Sequence, residues 1–277
     1  MCSKSILLIV ALISHCVYSD AQDCQCGLQG GRKRIVGGTE AKQGAYPWMV
    51  ALLHSDLSFF CGGSLINDRY ILTAAHCVPG LTAGDVRVIV RHVALDKGID
   101  ADNVLTVDNI WTNPEYIGPA NNHKNDLALL RLSQPVQISS SLLPICLPNS
   151  NQRDDFDNLF NMGFGLTSWN GEASPDLLVI QSQEKKDCAD SFGEGQIWDK
   201  QICTQTQGNG VCPGDSGGPL SSKINGRVTQ VGINSFIVDG SCGTGAHPDV
   251  MTRVSDYVDL IYQQTTDANY CGNPNKQ

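Results

Sequence analysis

The sequence predicts an all-β protein, a sandwich or a pair of barrels, closed by a single helix near the end. Three observations point there. From Ile35 onward, short apolar runs rich in β-branched residues are separated by Gly, Pro, Asn and Asp, as strands are separated by turns. Such runs recur along a chain of 277 residues, long enough for one large all-β domain or two small ones. Only near the end does the apolar spacing become helical, at Val254, Tyr257, Val258 and Ile261, with Ser255 as a candidate N-cap.

Taken in order, residues 1–19 read as a signal peptide. Lys4 precedes the apolar run Ile6 to Ile13, and Val17 and Ser19 are small enough for a signal-peptidase site before Asp20. The run falls well short of the ~20 residues that span a bilayer, which disfavours a membrane anchor. Residues 20–34 end in Gly30-Gly31-Arg32-Lys33-Arg34, flexible glycines before a basic cluster, an accessible site for a protease specific for basic residues. Residues 35–277 then form the folded domain. Its clearest strands are Trp48–Leu53, Val86–Val90, Leu127–Leu132 and Val228–Ile233.

Composition sets further bounds. Hydrophobic content of 41% and charged content of 17% favour a buried core over disorder. The net charge of −9 repels phosphate backbones and anionic lipids, so neither nucleic acid nor membrane is an expected partner. Twelve cysteines suggest an oxidising, extracellular destination, and ten remain once the signal peptide is removed.

The chemistry gathers at three places. Ser216 lies in Gly214-Asp215-Ser216-Gly217-Gly218-Pro219, where glycines permit a sharp turn and close approach of a substrate backbone. A serine hydroxyl is a weak nucleophile and needs a neighbouring base. His76, in Thr73-Ala74-Ala75-His76-Cys77, is the candidate base. Asp126, at the mouth of the strand in Asn125-Asp126-Leu127-Ala128-Leu129-Leu130, is the candidate acid that orients it. Each signal alone is weak. A histidine beside a cysteine is usually structural, and an aspartate before a strand is usually a turn residue. In the order His, Asp, Ser they are specific, and that order excludes an α/β-hydrolase, which runs Ser, Asp, His.

These runs, with Ile35-Val36-Gly37-Gly38 and Cys61-Gly62-Gly63-Ser64-Leu65-Ile66, resemble the chymotrypsin/trypsin-like family of serine proteases from Ile35 to about Thr266. The resemblance implies two six-stranded antiparallel β-barrels with a C-terminal helix and a cleft between the barrels. It implies a secreted serine endopeptidase with His76, Asp126 and Ser216 as triad, and the N–H groups of Gly214 and Ser216 as oxyanion hole. Ser235 would support Asp126. Residues 20–34 would be an activation propeptide, cut between Arg34 and Ile35 so that the new ammonium of Ile35 pairs with Asp215. Implied partners are protein or peptide substrates, an activating protease specific for basic residues, and protein protease inhibitors. A catalytically dead homologue would usually have lost a triad member, and here all three are present.

The family's spacing also suggests the disulfides Cys61–Cys77, Cys188–Cys203 and Cys212–Cys242. Cys146 would hold the propeptide through Cys26, and Cys24 would pair with Cys271. Exchange of Cys24 and Cys26 stays open, as does a free thiol or an intermolecular bridge. The pocket departs from trypsin. Gly210 stands where trypsin-like members carry aspartate, and Ile237, after Ser235 and Phe236, stands where trypsin carries glycine. Asp249 falls at a floor position usually filled by glycine; the alternative is a solvated loop residue. The pair Gly210 and Asp249 resembles crustacean collagenolytic serine proteases, which accept basic and apolar residues. No cofactor and no metal are expected; Asp96, Asp100 and Asp102 read as solvated surface.

Overall fold

The computed structural model describes residues 24–30, 39–97, 99–150, 152–153, 156, 158–238 and 240–272. The expected signal peptide and the Arg34–Ile35 junction lie outside the described residues. The first half holds β1 (Thr39–Glu40), β2 (Met49–His54), β3 (Phe59–Leu65), β4 (Tyr70–Thr73), β5 (Val86–Ile89), β6 (Val104–Thr112) and β7 (Ala128–Leu132). The second holds β8 (Leu159–Gly163), β9 (Leu178–Ser182), the short α1 (Ala189–Phe192), β10 (Gln201–Thr204), β11 (Pro219–Ile224), β12 (Arg227–Phe236), β13 (Asp249–Arg253) and α2 (Val258–Gln264).

Two antiparallel bodies result. β2-β3-β4-β7-β6-β5 close into a barrel, with β5 pairing back to β2. The second body is a seven-stranded sheet in the order β1-β9-β8-β11-β12-β13-β10. Six of its strands curl until the ends nearly meet. Past β9, the N–H of Lys185 donates to Cys203 O at 2.8 Å and that of Gln205 to Gln183 O at 2.9 Å. β1 is an extra strand on the outer edge of β9, Thr39 facing Val179. The second barrel is therefore joined by a short bridge where the first has a full ladder.

Strand composition follows from burial on both sides. In β12 every residue from Val228 to Ser235 is buried, and its buried polar side chains find partners, Gln230 with Ser64 and Ser235 with Asp126. In β7 only Arg131 reaches toward solvent, and its Nε pairs with Asp108 at 2.7 Å. The C-terminal helix differs from expectation at its start. Val254–Asp256 is a 3-10 turn and α2 begins at Val258 with Tyr257 as its N-cap residue. Ser255 is therefore inside the tighter turn and buried, and does not cap the helix.

The bodies are joined by polar contacts. Ser64 Oγ donates to Gln230 Oε1 at 2.5 Å, Gly62 N–H to Ser216 O at 2.8 Å, and Tyr257 OH to Asn125 Oδ1 at 2.9 Å. Residues 24–30 dock across both: Gly27 N–H donates to Pro144 O and Val228 N–H to Gly27 O, each at 2.9 Å. Cys26–Cys146 and Cys24–Cys271 fix this segment covalently. Gly27 has φ +66°, and a Cβ there would lie 2.3 Å from Val228 O. Gly27→Ala should therefore cost about 2 kcal/mol or more, lowering the unfolding temperature by about 4–8 °C in calorimetry. An unchanged transition would show that the segment is not docked in solution.

Candidate active site

His76 is set by the turn that ends β4. Ala75–Cys77 is one 3-10 turn, and Cys77 is bonded to Cys61 on β3. Asp126 lies two residues before β7, after Asn125 in a left-handed turn with φ 62°, a conformation asparagine tolerates. Its side chain is fully buried. One carboxylate oxygen accepts the backbone N–H of His76 at 2.9 Å. The other meets His76 Nδ1 at 2.7 Å and the hydroxyl of Ser235 at 2.5 Å. An ionised carboxylate only accepts, so Nδ1 must carry the proton and Nε2 is left with a lone pair. Thr252 Oγ1 donates to the Asp126 carbonyl at 2.9 Å, tying the same residue to β13.

Ser216 is delivered by a turn made of glycines. Gly214 has φ +97° and Gly217 φ +76°. A Cβ on Gly217 would sit 2.1 Å from Thr73 Oγ1 and 3.2 Å from Ala74 N. The serine turn is thus packed against the residues that introduce the His76 turn. Asn234 Nδ2 donates to Asp215 O at 3.0 Å and supports it from β12.

Asp215 points inward. Its oxygens accept the N–H groups of Gly165 and Cys212, both at 2.9 Å. A Cβ on Gly163 would lie 2.0 Å from one of them, so glycine is required there. Burial pushes the carboxyl up to about 6, against the pull of those two N–H donors. A cavity of about 230 Å³ lies beside it, lined in part by Met162, Gly163, Leu178 and Ile180.

A second cavity, of about 160 Å³, adjoins Ser216 and is lined by Val211–Pro213 and Asn234–Ile237. Asp249 begins β13 and is only 4% exposed, so it is a buried strand residue and not a solvated loop residue. It accepts the Val211 N–H at 3.1 Å and faces Gly210, whose missing Cβ would lie 3.1 Å from its carboxylate. Burial pushes its carboxyl up to about 7; the Val211 N–H opposes this and the charge of Asp215 adds to it.

His123 was not singled out by the sequence. Its ring stacks on Phe236 at 5.3 Å and stands edge-on to His76 at 5.7 Å. Its Nδ1 is 3.1 Å from Tyr116 OH and 3.9 Å from Asp126. Burial holds it below the ordinary histidine value, against the attraction of Asp126. Its position three residues before Asp126 was the available signal. Ligand atoms of His76, His123 and Asp126 lie within 4.8 Å of one another. The oxygen of Asp126 nearest both histidines is already bonded to Ser235 and His76, so these groups are engaged in orienting His76. The described cysteines pair as Cys24–Cys271, Cys26–Cys146, Cys61–Cys77, Cys188–Cys203 and Cys212–Cys242.

The trypsin family model matches residues 35–261. The chain is similar to phenoloxidase-activating factor 3 of Holotrichia diomphalia, 34% identical over 86% of this chain and 74% of the relative. It is also similar to CLIP domain-containing serine protease B4 of Anopheles gambiae, 32% identical over 85% of this chain and 71% of the relative.

The two buried carboxyls outside the His76 pair set a pH dependence. Each has a folded value raised above the ordinary 3.8. The folded protein therefore binds more protons than the unfolded chain, and their contribution falls as pH rises from about 4 through 6 and 7. Asp249→Asn should gain stability relative to wild type across that interval, by at most ~4 kcal/mol, in urea unfolding measured at several pH values. A difference that is flat with pH would mean that Asp249 is solvated.

Proposed function

The chain belongs to the trypsin family and is a serine endopeptidase; from that premise we propose that His76, Asp126 and Ser216 form its triad and that cleavage after Arg34 activates it. The observation that carries the reading is Asp126, whose bonds to the backbone N–H and the ring Nδ1 of His76 leave Nε2 as the available base. Nε2 takes the Ser216 proton as Oγ attacks the peptide carbonyl. The resulting tetrahedral oxyanion is held by the N–H groups of Gly214 and Ser216. The imidazolium, stabilised by Asp126, then protonates the leaving amine, and water repeats the cycle on the acyl-enzyme.

In this reading residues 1–19 direct secretion, 20–34 are the propeptide, and 35–277 are the protease domain. Among the described residues no helix is long and apolar enough to cross a membrane. Asp215 supports the activation step. Buried, with the N–H groups of Gly165 and Cys212 as its donors among the described residues, it would be held ionised by the ammonium of Ile35, and its backbone would carry the oxyanion turn. The disulfides at Cys24 and Cys26 would keep the propeptide attached after the cut. The cavity bounded by Ile237, with Asp249 behind Val211, supports basic and medium apolar residues at the position before the cut bond (P1). The similarity to a phenoloxidase-activating factor supports limited cleavage of a protein substrate within an activation cascade, itself started by a protease specific for basic residues and stopped by protein inhibitors.

A fluorophosphonate probe tests the nucleophile. Cut wild-type protein should label at Ser216; Ser216→Ala should not label and should lose at least ~10³-fold in peptidase activity. Labelling that survives in Ser216→Ala would reject the assignment. Arg34→Gln should stay uncut and inactive, and full activity in that uncut chain would reject the zymogen reading.

A further inference from the structure

Behind the P1 cavity, across Val211, lies a carboxyl whose state the described residues do not fix. Asp126 has three donors on its oxygens. Asp215 has two. Among the described residues Asp249 has a single donor, Val211 N–H. Among the described residues its surroundings supply no cation, and the Ile35 ammonium proposed above would pair with Asp215. The wall at Gly210–Pro213 contributes a glycine, a valine, a bonded cysteine and a proline. The wall at Asn234–Ile237 contributes no ionisable side chain, and the residue paired with Asp249 on β10 is Thr204. The charged group acting on it is Asp215, of like sign. His247, two residues earlier, is exposed.

We propose that Asp249 is a titrating selector of the cleaved residue: ionised, it admits arginine at P1, and protonated, it leaves the pocket to apolar side chains bounded by Ile237. This deepens the P1 reading above and rests on it. An ionised Asp249 without a partner is a desolvated charge, and a guanidinium entering the pocket neutralises it. A protonated Asp249 has no charge to offer, so the same guanidinium would be buried unpaired. An apolar P1 side chain meets the reverse preference. Burial pushes the carboxyl up to about 7, so the exchange falls inside the pH interval of the test below.

The test uses the full chain cut after Arg34 and two peptides that differ only in Arg or Leu at P1. The ratio of their kcat/KM values, measured from pH 5 to 8.5, cancels the ionisation of His76, which both reactions share. kcat/KM reports the free enzyme's ionisations. The Arg/Leu ratio should rise about tenfold per pH unit below the transition, by ten- to a hundredfold in all, and then level near pH 8. Asp249→Asn should give a low, flat ratio; Asp249→Ser serves the same purpose if the first variant folds poorly. A ratio flat with pH in wild type, the same rise in either variant, or cleavage of one peptide alone at every pH overturns the selector. Loss of cleavage of both peptides together with loss of fluorophosphonate labelling would instead overturn the catalytic reading.

Discussion

The site depends on one buried carboxylate shared by the two bodies. Asp126 stands at the mouth of β7 in the first barrel, yet Ser235 of β12 bonds its side chain and Thr252 of β13 bonds its carbonyl. Neither barrel alone could satisfy it. Leaving a carboxylate buried with part of its donors missing costs several kcal/mol, so the cost of separating the barrels is concentrated at the residue that orients His76. The same bonds that hold the bodies together fix the imidazole's tautomer. Stability of the interface and readiness of the base are therefore one constraint.

Around this point the glycines are spatial requirements. Gly217 lets the serine turn press on Thr73, and Gly163 and Gly165 clear the space that the Asp215 carboxyl fills. Gly62 approaches Gly218 so closely that a Cβ would lie 3.3 Å from its Cα. The seam is thus a close approach of two backbones, and side chains there would push the Ser216 turn away from the His76 turn.

Much of this was legible in the sequence, for identifiable reasons. β2 and the start of β7 are covered on both sides, so they read as continuous apolar runs that need no tertiary information. His76, Asp126 and Ser216 carry weak signals singly and a specific one in their order along the chain. His123 adds nothing to that order; its place between His76 and Phe236 depends on the left-handed residues Asn122, His123 and Asn125, and only its position three residues before Asp126 hinted at it. The bridge that joins the second barrel at residues 183–185 lies outside any β-rich run. Ser255 looked like a cap because caps are judged by residue type, whereas the chain tightens into a 3-10 turn there. Asp249 was ambiguous because His-Pro-Asp has the composition of a loop, while its one hydrogen-bond donor comes from 38 residues earlier.

In the proposed mechanism three buried aspartates, graded by how many donors the described residues bring to each, divide the work. Asp126, with three donors on its carboxylate, is a fixed element. Asp215, with two backbone donors and burial pushing it to about 6, is suited to a state completed by one added cation. Asp249, with one donor and burial pushing it to about 7, is suited to a cation that comes and goes with substrate. A carboxyl with every lone pair occupied has no reason to recruit a ligand, and one with few has a large one. Residue type is the same in all three; what separates orientation, activation and selection is the number of N–H and O–H groups that the fold brings to each.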